Sequence, residues 1–286
     1  MPLIVNLSTI HTLYPISTSV TEFAKLCNAG GGGCGGCCPT FFKSWSNYAW
    51  VMYQYQTRYA ELIEPYKLGR ISTEQFLENL AILFQVSEHN EGAVLIPRGE
   101  IRGRYTNDPR LVPLEAAWNS LIGLEENRVP RFPALVSQSE PVYLISNTNE
   151  LNVFAILTLL REQNPHIQFR SPIDISVMED NRPIEIADNI FLCLSYRYQC
   201  FKTPQQSKQA APPSTMSLLK YLVEDQLHLS PADVTVVSQY DGDLAEAQRL
   251  KIPARNIHKA DEFYSTICKD FKLASASSLP ALGRES

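Results

Sequence analysis

Four cysteines crowd together early in this chain, Cys27, Cys34, Cys37 and Cys38, and three of them sit in AGGGGCGGCCP (29–39), eleven residues that also hold six glycines. Thiolates at close spacing bind zinc when they converge on one tetrahedral centre, and dense glycines cradle phosphate when a Gly-Lys-Ser/Thr closes the loop. Cys37 and Cys38 are adjacent, which aims their side chains apart, and the two separated Cys-x-x-Cys knuckles of a zinc site are absent. Zinc on Cys27, Cys34, Cys37 and Cys38 therefore stays a minor alternative, as does a redox or lipidated cluster. No Gly-Lys-Ser/Thr follows the glycines, and no core strand leads straight into them as in a dinucleotide loop. Ordering six glycines is entropically costly, so the preferred reading is a joint that carries incidental thiols and is ordered by a partner if at all. His11 as a nucleophile partner for Cys34 or Cys37 has no defined pocket behind it. Arg98, Arg102 and Arg104 read as a solvated face rather than a phosphate clamp.

The chain around these residues is of ordinary globular composition, with 286 residues, 44% hydrophobic and 19% charged. That length buries a sizeable core and suits one large domain or a core with an insertion. A net charge of −5 argues against sequence-independent nucleic-acid binding, which needs a basic face to displace counterions. No run of eighteen apolar residues is present, so no transmembrane segment is expected. The opening MPLIVNLSTIHTL lacks the charged n-region and cleavage site of a secretory signal. Seven cysteines, clustered and odd in number, do not form a secreted disulfide framework. A reducing, cytoplasmic location is the expectation.

Leu3 to Leu7 is a short apolar run, the pattern of a strand buried on both faces. Val20 to Glu140 is mostly helical: Trp45 to Ile63 carries apolar and aromatic residues at helical spacing. Ser72-Thr73-Glu74-Gln75 opens EQFLENLAILF as a capping start, and Pro113 to Leu124 reads as a further helix. The aromatic run from Phe41 to Tyr59 points in several directions, which leaves apolar area for a partner. From Pro141 strands and helices alternate. VYLIS (Val142 to Ser146) is a strand and Asn149 to Arg161 its helix; Asn189 to Ser195 is a strand, followed by a helix over TMSLLKYLVEDQLHL. Asp233 to Ser238 is a strand, GDLAEAQRL a helix, and a last helix begins near Ala260. Repeated strand-helix units predict a doubly wound, Rossmann-like parallel α/β sheet. The stretches 96–109 and 203–214 read as loops, and the tail 273–286 as disordered.

In such sheets ligands bind beyond the carboxyl ends of the strands. There the sequence places Asn6 to Ile10, Ser146-Asn147, Lys202 and Ser238 to Asp243. In order and spacing this set resembles the four motifs of the haloacid dehalogenase (HAD) superfamily of phosphatases and dehalogenases. LIVNLSTIHTL is similar to the first motif, an apolar strand followed by Asp-x-Asp or Asp-x-Gly. LISNTN resembles the second, LSYRYQCFKTP the third with Lys202 as its lysine, and VVSQYDGDLAEAQRLKI the fourth. GRISTEQFL and EAAWNSLIG are similar to the helical cap that many of these enzymes insert between the first two motifs. The resemblance covers roughly nine-tenths of the chain. It implies an α/β core over 1–17 and 141–272, a cap insertion over 18–140 that contains the 29–39 loop, and magnesium-dependent chemistry in an active member.

The residues depart from that chemistry. The resemblance implies a carboxylate nucleophile where Asn6 stands, a second acid where Ser8 stands, and metal-binding acids where Ser238 and Gln239 stand. An amide neither balances a hard cation nor forms an acyl-phosphate, and no Asp or Glu occurs before Glu22. Asp243 fits a secondary acid position of the fourth motif. Ser146, Asn147 and Lys202 are left as polar anchors. They are either satisfied within the protein by Asp241, Asp243 or backbone carbonyls, or they form a residual anion-binding site. The expectation is a catalytically inactive HAD-like protein, with no cofactor or metal, that serves as a protein-interaction subunit or adaptor of a larger assembly. A bacterial secretion or effector-associated complex is one setting that such a role would suit. A divergent HAD-type phosphatase and a non-hydrolytic sensor of a phosphorylated or anionic ligand are the alternatives.

Overall fold

The computed structural model describes residues 1–29, 40–84, 106, 108, 110–125, 128–172, 182–202 and 216–257. Cys34, Cys37, Cys38, the arginines at 98, 102 and 104, the 203–214 loop, the expected last helix and the 273–286 tail lie outside the described residues, as does the side chain of Cys27.

The first apolar run forms β1 (Leu3–Asn6), and Leu7 instead opens a 3-10 turn over Leu7–Thr9. β1 is flanked by β4 (Val142–Ser146) and β7 (Thr235–Ser238), and the six strands run in the order β5-β6-β4-β1-β7-β8. Pairing is parallel throughout except at β5 (Ile184–Ala187), which lies antiparallel on β6 (Ile190–Leu194) at one edge. β8 (Ala254–Asn256) closes the other edge.

Strand periodicity explains why both faces are covered. Val5, Leu144, Leu192, Leu194 and Val237 point to one face, where α7 (Glu150–Gln163) and α6 (Arg131–Val136) supply Val153, Ile156, Leu157, Leu160, Phe132 and Leu135. Their immediate neighbours Ile4, Ile145, Cys193 and Val236 point to the other face. There they meet Leu218 and Leu219 of α9 (Leu218–Lys220), Leu222 and Val223 of the wider π turn Tyr221–Gln226, and Ala247 of α10 (Asp241–Arg249). The helix expected over TMSLLKYLVEDQLHL is thus a short α segment capped by Ser217 that runs on as a π turn.

Between β1 and β4 the chain builds α1 (Ile16–Ala29), α2 (Thr40–Thr57), a π turn (Tyr59–Ile63), α3 (Glu64–Lys67), α4 (Thr73–Phe84) and α5 (Val112–Asn119). The expected join after residue 17 falls inside α1. These helices enclose a cluster of their own around Val20, Phe23, Val51, Phe76, Leu80, Leu114 and Trp118. Phe76 stacks on Tyr66 at 3.9 Å between centroids and meets Trp118 edge-on at 4.8 Å. Ser72 caps α4 as its sequence predicts, since its hydroxyl accepts from Gln75 N and its own N–H donates to Gln75 Oε1.

Two expectations are corrected in detail. The helix expected over Pro113 to Leu124 stops at Asn119, because Ile122 and Gly123 form β3 and pair antiparallel with β2 (Thr12–Leu13). Gly123 permits this ribbon: a Cβ there would fall 2.4 Å from the Tyr14 ring. The edge strands β5 and β8 were not expected. β8 is exposed at all three residues and carries no apolar alternation to betray it.

A short α8 (Ser195–Tyr198) follows β6 and approaches the insertion so closely that Gly69, at φ +65°, leaves no room for a Cβ, which would meet the Tyr196 carbonyl oxygen at 2.1 Å. No helix among the described residues is long and apolar enough to cross a membrane.

Candidate functional site

Register brings the expected residues together. Leu3 to Asn6 pairs with Val142 to Ile145, and Leu3 to Val5 with Thr235 to Val237. Asn6, Ser146 and Ser238 therefore end their strands side by side at the carboxyl edge of the sheet, where β1 stands between the two directions of winding. Asn6, Ser8, Ser146, Asn147 and Lys202 all line one cavity of about 670 Å³. Gln239 is half-buried and outside that lining, whereas Asp241 and Asp243 are part of it.

The cavity floor is a closed hydrogen-bond network centred on Asp243. Its Oδ2 accepts from Asn6 Nδ2 at 2.6 Å, from Ser238 Oγ at 2.7 Å and from Lys202 Nζ at 3.0 Å. The orientation of the Asn6 amide is fixed from its other side: Ser8 donates to Asn6 Oδ1 through its backbone N–H at 3.0 Å and its hydroxyl at 2.7 Å. A backbone N–H can only donate, so the amide oxygen must face Ser8 and the NH2 must face Asp243. Asp243 lies in the first turn of α10, where the helix dipole also favours a carboxylate. Lys202 and Asp243 are 9% and 3% exposed at their side chains, so this ion pair is buried. The Lys202 ammonium also stands 5.3 Å from the centre of the Tyr240 ring, and its backbone N–H donates to Asn147 Oδ1 at 2.7 Å.

The loop after β1 is pinned from below. Arg128 Nη1 donates to the carbonyls of Ser8 and His11, and Arg131 Nη1 to that of Thr9 at 2.8 Å. His11 is buried with its Nδ1 3.0 Å from the Leu7 carbonyl. Burial, against the hydrogen bond to Leu7 and with help from the Arg128 charge, holds it down at about 4. The imidazole is thus neutral and donates from Nδ1, and Cys34 and Cys37, the thiols considered with it, lie outside the described residues. The roof comes from the insertion and the β2-β3 ribbon: Tyr14, Tyr55, Trp118, Leu121 and Ile122, with Phe201 and Tyr240 at the sides.

Sequence reasoning reached the polar anchors because they follow apolar strands. Asn152, Tyr55 and Trp118 also line the cavity without any local signal in the sequence, since each sits within a helix. The paired state of Lys202 changes the meaning of the anion-binding alternative: the ammonium that would receive an anion already has a carboxylate at 3.0 Å.

Magnesium, which the resemblance implies for an active member, does not fit this donor set. It requires oxygen ligands, chiefly carboxylates, at near-octahedral positions. Asn6 presents its NH2 to the cavity floor, and Asp243 Oδ2 already takes three donors, one of them an ammonium. Among the described residues no three His, Cys, Asp or Glu side chains cluster to hold a metal ion.

No protein-family model and no curated protein matches the chain. Solved structures do. A crystal structure of a HAD family enzyme from Bacteroides thetaiotaomicron is 15% identical, with a TM-score of 0.53 over 93% of this chain and 97% of that one. A magnesium complex of the same enzyme is 15% identical, with a TM-score of 0.51 over 94% and 98%. At such identity the likeness is one of fold: a mostly parallel six-stranded α/β sheet with inserted helices, the HAD-like, Rossmann-like architecture.

Proposed function

We propose that this chain is a catalytically silent HAD-like protein that works by binding, as an interaction subunit or adaptor of a larger assembly. The observation that carries the reading is Asn6. At the end of the central strand, where attack on phosphorus would need a carboxylate, stands an amide locked between Ser8 and Asp243. The neighbouring charge is spent inside the protein, since the Lys202 ammonium is paired with Asp243. Neither group is free to act on a phosphate ester.

A binding role is supported by apolar side chains that stand out from the inserted helices. Trp50 and Tyr53 on α2 are 38% and 61% exposed, and Ile82 on α4 is 76% exposed. Large apolar groups in that state suit contact with another protein.

Two measurements test the reading. Purified protein with magnesium and p-nitrophenyl phosphate should release no phosphate above background. The full chain, tagged and recovered from its native cell, should bring down a protein in stoichiometric amount, and a variant carrying Tyr53→Asp and Ile82→Asp should lose it. A lone monomer that turns over the ester would overturn both parts.

A further inference from the structure

One carboxylate oxygen, Asp243 Oδ2, takes hydrogen bonds from both the amide nitrogen of Asn6, at 2.6 Å, and the amine nitrogen of Lys202, at 3.0 Å. The Asn6 carbonyl is polarised on its other side by two donors, the Ser8 backbone N–H at 3.0 Å and the Ser8 hydroxyl at 2.7 Å. These are the parts of an acyl transfer: an amine nucleophile, an acid–base group that touches both the nucleophile and the leaving nitrogen, and donors on the oxygen where negative charge gathers. Hydrogen bonds to an amide run near its plane, so they hold it without covering the face that an amine attacks. All three residues are buried. Burial penalises both charges of a pair, and moving one proton across cancels them. Asp243 Oδ1 accepts no hydrogen bond from a protein group among the described residues, which leaves it open to take that proton.

We propose that Lys202 and Asn6 join in an intramolecular isopeptide bond, which the protein forms on itself with Asp243 as proton carrier. Asp243 takes a proton from the Lys202 ammonium. The freed lone pair of Nζ attacks Asn6 Cγ, the Nζ–Cγ bond forms, and the carbonyl electrons move onto Oδ1, where the Ser8 donors hold them. Asp243 hands its proton to Nδ2 and takes another from Nζ. The Cγ–Nδ2 bond then breaks, and the nitrogen leaves as ammonium with Asp243 restored to carboxylate. No other reagent is consumed, and the product is lighter by one ammonia. The ion pair is the reactant state, carried by freshly made protein, and the bond ties the end of β1 to the connection after β6. It needs neither ligand nor partner, so its test stands apart from that of the adaptor reading.

Intact-mass spectrometry of the full chain, held folded at neutral pH and sampled over weeks, should show a species lighter by one ammonia that grows with time. Trypsin should then release a branched peptide that joins residues 1–25, which carry Asn6, to residues 198–208, which carry Lys202 and stay uncut at it. Lys202→Arg keeps a cation beside Asp243 but has no amine to acylate, and Asp243→Asn removes the proton carrier; both should give neither signal. The parent unfolded in urea should give neither as well. The parent's own time course decides even where a variant fails to fold. Only linear peptides at both sites throughout, or a loss of ammonia without the branch, as when an asparagine closes to a cyclic imide, rules the bond out. A branch that forms equally fast in urea also overturns the proposal, since the geometry of the fold then plays no part.

Discussion

Replacing Lys202 by Met tests whether the buried pair is a piece of structure or a piece of machinery. Methionine keeps the bulk of the lysine stem and removes only the ammonium. Asp243 then remains buried, with two neutral donors, Asn6 and Ser238, and no counter-charge. Removing one partner of a buried ion pair costs about 3–5 kcal/mol. The two remaining hydrogen bonds place this case near the lower end, about 3 kcal/mol. For a chain of this size that is a fall in melting temperature of roughly 6–12 °C. Asp243→Asn leaves the ammonium alone and should cost a similar amount. The double variant, with neither charge, should lose clearly less than the two single losses together, with a coupling of about 2–3 kcal/mol. Urea unfolding with linear extrapolation, together with thermal melts, measures all four corners of the cycle. A Lys202→Met protein within about 1 kcal/mol of the parent, or additive losses, would refute the argument that the charges are held for each other. A residue poised for catalysis gives the opposite sign, since its removal usually leaves stability unchanged or raised.

Three further outcomes follow from the geometry. Asn6→Asp sets a second carboxylate 2.6 Å from Asp243 Oδ2; it should destabilise the fold by a few kcal/mol, about 2–4, and release no phosphate from p-nitrophenyl phosphate. His11 has a folded value of about 4 against 6.5 when free, so the unfolded chain takes up its proton first. Its stabilisation is therefore complete above pH 6.5 and lost as pH falls toward 4, by about 3 kcal/mol, and His11→Gln should flatten that part of a stability-versus-pH curve. Gly69→Ala combines a left-handed backbone with a Cβ driven into the Tyr196 carbonyl; it should cost at least ~2 kcal/mol by urea unfolding, while an alanine at the open position Gly242 should cost much less.

How much of this could be read in advance depends on how local the cause is. The strands that build the sheet declare themselves because a strand covered on both faces carries consecutive apolar residues, as at Val142 to Ile145 and at Val236 and Val237. Ser72 and Gln75 likewise act on each other within one turn. Asn6, Ser146, Asn147 and Lys202 line one cavity, a placement that follows from where their strands or the β6 connection end. What could not be read was set by contacts distant along the chain. Asn6 and Asp243 are 237 residues apart, and only the fold decides that the acid turns inward to meet the amide. The β2-β3 ribbon depends on Thr12 meeting Gly123, and β8 on its pairing with β7.

The three apolar clusters also bear on how the molecule opens. Those on the two faces of the sheet share no fully buried residue with the cluster of the inserted helices; among the described residues the α/β core sends buried Leu151, in the first turn of α7, into that cluster, and half-buried Ile16 packs against both sides. Beside these the seam carries polar links: Tyr66 and Thr73 join through their hydroxyls, Thr73 donates to Glu150, and the Leu151 N–H donates to the Tyr66 hydroxyl. A seam of this kind separates cooperative units. Amide protons of α2 and α4 should exchange with deuterium through a partial unfolding event of lower free energy than those of β1 and β4. The insertion can then come loose while the sheet stays whole, and a partner gripping those helices would slow their exchange without touching the sheet.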